Sequence, residues 1–299
     1  MRTICLSLCC GALLLQTGCA DTKWGFLKNQ NQPPRTLAAE HPTPAQLVDY
    51  LNQNSQKIQS IQCSEMDLDC KQGSQPIGLR ARMNCEKPKN FRLTANVVGK
   101  QAVDMGSNSQ EFWYWISKAE PPYLYHCSYQ DLARPGVQMP FPFQPDWVLE
   151  AMGMGDYGTP DQYSALPGKN GAIDLVQDTV NSQGRRVLKV TEFARSRSGF
   201  QVQEYKLQDA ATKQVICFAH IQDSKNVGGA TLPIKLMFYW PEQHITLSMR
   251  MEDVTINQPP ASNLIFVRQP MANVQTFDLA RGLETPNPQV RQAGGFGAR

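Results

Sequence analysis

The chain has 299 residues, 41% hydrophobic and 18% charged, which is enough to bury a sizeable core as one large domain or two small ones. Its 29 basic and 26 acidic residues leave a net charge of +3. That balance, with no long basic run, sets nucleic acid aside as a partner.

Arg2, an apolar stretch from Ile4 to Leu15, and the small residues Thr17 and Gly18 before Cys19 have the organisation of an export signal. The apolar stretch is too short to span a bilayer permanently. "TGC" resembles the lipobox of bacterial lipoproteins, with Gln16 standing where Leu is usual. The resemblance implies a signal peptide over 1–18, and acyl chains such as palmitate on Cys19 that hold the protein to a membrane. A plain secretory peptide is the alternative.

Both readings place the protein outside the cytoplasm, where disulfides can form. Of nine cysteines, Cys5, Cys9 and Cys10 leave with the signal; Cys63, Cys70, Cys85, Cys127 and Cys217 remain beyond Cys19. Cys63 with Cys70 and Cys85 with Cys127 are possible pairs, and five small buried hydrophobes fit the sequence equally well.

Residues 19–43, with "NQPPR" and "HPTP", read as a polar tether. Thr43 caps the next helix, Pro44 suits its first turn, and Leu47, Val48 and Leu51 share a face. The period then changes to two. "FRLTANV" sets Phe91, Leu93, Ala95 and Val97 against Arg92, Thr94 and Asn96, and "ITLSMRM" repeats the pattern. Eight further strand candidates run from "GLRARMNC" to "IKLMFYW", punctuated by turns such as "NSQG" and "NVGG". Glu65, Asp67 and Asp69 share one face of an earlier strand and read as a solvated edge rather than a calcium site. Between the two strand sets, "PFPFQPDWVLEAMGMGDYG" predicts a short, unusually apolar helix capped by Asp146. The tail, 284–299, reads as frayed.

Most chemistry finds no support in the sequence. Gly153, Gly155 and Gly158 spell G-x-G-x-x-G, but a helix precedes them and Thr159-Pro160 follow, the wrong context for a dinucleotide. His41, His126, His220 and His244 lack paired spacing, the cysteines lack C-x-x-C, and there is no nucleophile elbow. No catalytic residue, metal or cofactor is expected, and the chain is not expected to be an enzyme.

What rises above background is large apolar side chains. "FWYW" puts bulk on both faces of one strand, so rings there meet a second layer or a ligand. Together with the apolar helix this predicts a greasy pocket under a lid, contacted by Leu93, Phe112, Trp115, Phe141, Phe143, Trp147, Leu149, Met152 and Phe238. A register slip of one residue would exchange the strand members of that set.

Three stretches resemble the LolA/LolB superfamily of periplasmic lipoprotein carriers and outer-membrane acceptors. In "EKPKNFRL", Lys87-Pro88 precede Phe91 and Arg92, similar to the family's basic-Pro turn. In "DMGSNSQEFWYW", Asp104 and Gly106 lead to Phe112, Trp113 and Trp115, similar to its "D-G-x-x-x-W-x-Y" hairpin. "MRMEDVTINQ" and "LIFVRQPMANVQTFDL" look like its closing strands. The resemblance implies an incomplete antiparallel β-barrel covered by short helices over 44–283, a curved sheet of about ten strands. It also implies Lys87 as the lid latch, where carriers commonly have Arg, whose planar donor fork lysine lacks.

The expected function is a membrane-tethered, extracytoplasmic protein, expected as a monomer, that accepts the acyl chains of a lipid or acylated protein cargo. Ala20 directly after Cys19 favours the outer membrane. The alternative is an envelope stress sensor or scaffold that uses the same half-barrel to bind a partner protein.

Overall fold

A computed structural model describes residues 34–72, 75–134, 137 and 144–283. Cys19, Phe141 and Phe143 lie outside the described residues. Within them the chain forms one large curved sheet of strands β1 (Ser60–Gln72), β2 (Gln75–Glu86), β3 (Asn90–Val97), β4 (Lys100–Ser107), β5 (Glu111–Ile116), β6 (Leu124–Ser128), β7 (Tyr163–Pro167), β8 (Ile173–Val180), β9 (Arg186–Ser196), β10 (Gly199–Asp209), β11 (Val215–Val227), β12 (Ala230–Trp240), β13 (Ile245–Ile256), β14 (Thr276–Asp278) and β15 (Gly282–Leu283), in the order β15-β14-β6-β5-β4-β3-β2-β1-β13-β12-β11-β10-β9-β8-β7. The outermost strands are β7 (Tyr163–Pro167) and β15 (Gly282–Leu283), which do not pair, so the sheet is an open barrel. All pairings are antiparallel except that of β14 (Thr276–Asp278) alongside β6 (Leu124–Ser128). Among the described residues no helix is long and apolar enough to cross a membrane.

The central seam is set by β1 (Ser60–Gln72) and β13 (Ile245–Ile256), where Ile61 pairs with Ile256 and Leu68 with Met249. β1 also pairs with β2 (Gln75–Glu86), so the Glu65/Asp67/Asp69 face is not an edge as expected. Arg80 neutralises it, 2.7 Å from Asp67 and 3.5 Å from Glu65, and Arg250 stands opposite Asp67 in the register. Eleven strands coincide with those expected, β1 among them. Of the other four, β4 (Lys100–Ser107) is interrupted by Asp104 and Gly106, while β7, β14 and β15 are short pieces near the two ends of the sheet.

Helix α1 (Pro44–Ser55) begins as expected, with Thr43 and Gln46 bonding each other's backbone reciprocally. Its Leu47, Val48 and Leu51 are buried in the core. The folded contacts start before it. Leu37 exchanges backbone bonds with Phe200 at 2.7 and 2.8 Å, and the Tyr50 hydroxyl donates to Arg35 O at 2.6 Å. α2 (Tyr129–Leu132) is a single turn after β6. α3 (Pro145–Leu149) runs into a π-type turn, Glu150–Met154. Asp146 does not cap α3: Pro145 takes the first helical position, which moves the cap two residues upstream to Gln144 and puts Asp146 inside the first turn.

Neither of the two possible disulfides forms, and Cys63, Cys70, Cys85, Cys127 and Cys217 are free thiols, as the alternative reading had it. Cys63 and Cys70 sit seven positions apart on β1, about 23 Å at the usual rise per strand residue. Cys85 on β2 and Cys127 on β6 are four strand spacings apart, about 19 Å. Bridging needs Cα atoms within about 7 Å.

Gly106 shows why that hairpin needs a glycine. A Cβ there would lie 2.2 Å from the Trp113 ring, which lies flat against the backbone. The Arg92 guanidinium lies over the Trp113 ring, 5.3 Å from its centroid, and pairs with Asp104 at 2.6 Å, while its second terminal nitrogen donates to Val267 O at 3.2 Å. This cluster fastens the returning C-terminal segment to the convex face.

Candidate functional site: an apolar lid over the concave face

The concave face is built by alternation. Register pairs Leu93 of β3 (Asn90–Val97) with Met105 and Met83, and Phe112 of β5 (Glu111–Ile116) with Ser107 and Cys127. β12 (Ala230–Trp240) contributes Leu236, Phe238 and Trp240 to the same side. Leu93, Phe112 and Phe238 are at most 4% exposed and belong to one contiguous core. Trp115 is placed differently. It is three residues from Phe112, so the pleat turns it to the convex face, opposite Asp104 and in line with Trp113.

α3 and the π-type turn lie across this face as a lid. Trp147, Leu149 and Met152 are 0–3% exposed, with Val148, Ala151 and Met154 beside them in the core. The Trp147 ring meets Phe238 edge to face at 5.8 Å, and Phe238 stacks on Trp240 at 6.0 Å. An element this apolar has no stable place in water, and its seat is the sheet. The kink that ends it is at Gly153, where φ is 80°.

The polar attachments of the lid are few and specific. Glu150 pairs with Lys189 Nζ at 2.6 Å. The Tyr157 hydroxyl lies 3.4 Å from Glu150 O and 3.2 Å from the Tyr205 hydroxyl. Gly155 makes this closure possible, because a Cβ there would stand 2.9 Å from both Glu150 Cγ and Tyr157 Cζ. The G-x-G-x-x-G spelling is therefore a packing requirement of the lid. Burial pushes Tyr50 up to about 12 and raises Tyr157 and Tyr205 further, so all three stay neutral donors. Burial alone would lower Lys189, but Glu150 outweighs it and holds the lysine above its ordinary 10.5.

Lys87 reaches the lid indirectly. Its Nζ donates to Ser55 O and Ser55 Oγ, both at 2.7 Å, and Ser55 Oγ donates to Gly155 O at 2.5 Å. The chain of contacts runs from the β2–β3 turn through the end of α1 to the end of the lid. Burial lowers the Lys87 pKa, with Asp156 opposing.

Beside the lid, a small cleft of about 40 Å³ lies between α1, the π-type turn and strands β10 (Gly199–Asp209) to β12. Its walls include Tyr50, Leu51, Ala151, Tyr157, Tyr205 and Ile221.

The sequence reading missed Glu150, Lys189, Tyr157 and Tyr205. A signal existed for one of them. In "RVLKVTEF", Lys189 is in phase with Val187, Thr191 and Phe193, but Leu188 and Val190 make the other face equally apolar and hide the choice.

No family model matches the sequence, and no curated protein does. Among solved structures the chain is similar to a DUF1329 family protein from Desulfovibrio piger, 8% identical, with a TM-score of 0.48 over 75% of this chain and 98% of that one. It is similar to a domain named for outer membrane lipoprotein sorting from Vibrio parahaemolyticus, 8% identical, TM-score 0.47, covering 73% and 95%. A LolA superfamily protein from Nitrosomonas europaea is 10% identical, TM-score 0.46, covering 76% and 99%. At such identities, nothing about ligand or activity passes from those proteins to this one.

Proposed function

We propose that this protein is a non-enzymatic, extracytoplasmic carrier or acceptor of acyl chains, tethered to a membrane through acylated Cys19. The observation that carries the reading is the lid: an apolar segment laid on an apolar concave face, attached at one ion pair and a few hydroxyls. Withdrawing Trp147, Leu149 and Met152 would uncover Phe238 and the core around it, a surface that acyl chains can refill at about 0.8 kcal/mol per CH₂. Lys87, through Ser55, would help hold the closed state. The lipobox-like "TGC" supports an envelope location, the outer membrane being favoured by Ala20.

A second reading, an envelope sensor or scaffold that binds a partner protein, is favoured by one observation. In the closed structure the candidate contacts Leu93, Phe112, Trp147, Leu149, Met152 and Phe238 pack on the protein's own side chains.

Native mass spectrometry of the protein gently isolated from its host envelope separates the two. Co-purifying lipid or acylated peptide is the outcome expected of the carrier. Repeated absence of any added mass would sink the carrier and favour the scaffold.

A further inference from the structure

We infer that the concave face contains a binding site for the anionic head of a single-chain amphiphile, a carboxylate or phosphate, in which Lys189 is the cationic contact and Glu150 of the lid occupies the site when it is closed. The inference rests on the acyl-chain reading above and names the class of cargo.

Lys189 lies on the inside of the sheet. Its register partners are Gln177 on β8 and Leu207 on β10, and Leu207 is 1% exposed. Val187, Thr191 and Phe193, in phase with it along β9 (Arg186–Ser196), are all at most 4% exposed. The lysine side chain itself is 28% exposed, within reach of a ligand at the edge of these apolar surroundings. Its ammonium pairs with Glu150 of the lid at 2.6 Å. The lid also carries Asp146, whose charge acts on Lys189 and one of whose oxygens is buried with no hydrogen-bond partner among the described residues.

Both carboxylates ride on the element that must leave for acyl chains to enter. Opening the lid removes the apolar cover and the counter-charge of Lys189 together. A neutral lipid replaces only the first. An amphiphile with an anionic head replaces both, its tail filling the space of Trp147, Leu149 and Met152 and its head taking the place of the Glu150 carboxylate. Tyr157 and Tyr205, which line the adjoining cleft, supply neutral hydroxyls beside that position. Charge-assisted contacts of this kind are roughly twice as strong as neutral ones, which gives the head selective weight.

The test is fluorescence titration of the purified full chain with cis-parinaric acid and with its methyl ester, at a pH where the acid is ionised. The wild type is expected to bind the acid at least about tenfold more tightly than the ester, a difference of about 1.4 kcal/mol. Lys189→Met should bring the two to parity while ester binding persists. Glu150→Gln, which removes the competing charge, should tighten the acid about tenfold and provides an independent check should Lys189→Met fail to fold. Competition by oleate and by lysophosphatidate tells which head is preferred, and displacement by either supports the site. Equal binding of acid and ester by the wild type, or a preference that survives Lys189→Met, would overturn the anionic site and leave the acyl-chain reading standing. Binding of neither probe by the wild type would overturn that reading itself, and this inference with it.

Discussion

Trp147 and Phe238 meet edge to face with their ring centroids 5.8 Å apart, and through this contact the lid is seated on the middle of the second strand set. The pair joins residues 91 positions apart (238 − 147), so it exists only once β12 has found its place in the sheet. It also sets the first prediction. Trp147→Ala should lower unfolding free energy by about 3–5 kcal/mol, the usual cost of deleting a buried large aromatic, measured by urea denaturation. A loss below about 1 kcal/mol would mean that Trp147 is not seated as core.

Lys87→Met breaks the relay from Lys87 through Ser55 to Gly155. Stability should fall by about 1–3 kcal/mol, the cost of leaving buried polar groups without a partner. Amide exchange should quicken at Gly155 to Tyr157 more than in β12. Uniform change across both segments would mean that Lys87 supports the fold and not the lid.

Gly106→Ala places a methyl group inside the Trp113 ring's contact distance. The overpacking should cost about 1–3 kcal/mol, and Trp113→Leu in the same chain should recover part of it. Two additive losses would show that the ring is not what the methyl group meets.

Glu111 sets an acid limit. Burial alone would raise its pKa, but the His126 hydrogen bond and the Arg268 guanidinium, 3.2 Å away, outweigh it and hold the carboxyl below its ordinary 4.5. A depressed pKa contributes stability that is present above the unfolded value and is lost as pH falls through the folded one. Unfolding free energy should therefore drop as pH goes below 4.5, and Glu111→Gln should flatten that limb. An unchanged limb in the variant assigns the acid sensitivity elsewhere.

The thiols offer a test of burial. Burial pushes Cys63 and Cys127 up to about 11 and Cys85 and Cys217 further. At pH 8, these four should react with Ellman's reagent only after unfolding, with the half-buried Cys70 alone reacting in the native body. Fast native labelling of Cys85 would contradict the register of β2.

Much of the fold was legible because alternation by two is a local property. Phe91, Leu93 and Ala95 declare their common face whatever strand lies beside them, and Thr43 with Gln46 declares a helix start within four residues. The lid was visible for a similar reason, since Trp147, Val148, Leu149 and Met152 are too apolar to face water. Phe112 and Trp115 mark where local reading failed. "FWYW" is apolar on both faces, so only pairing with β4 decides which ring looks inward.

From sequence alone, this chain is mainly β, with a strand-rich body interrupted by one apolar segment. The tertiary structure decided which charges meet. Glu150 and Lys189 lie 39 positions apart in chain order, and nothing local marks either as a partner of the other. Their pairing follows from the register of β9 between β8 and β10 and from the seating of the lid. Hydrophobic patterning is written one residue at a time, whereas an ion pair across a concave face depends on where two distant backbones come to rest.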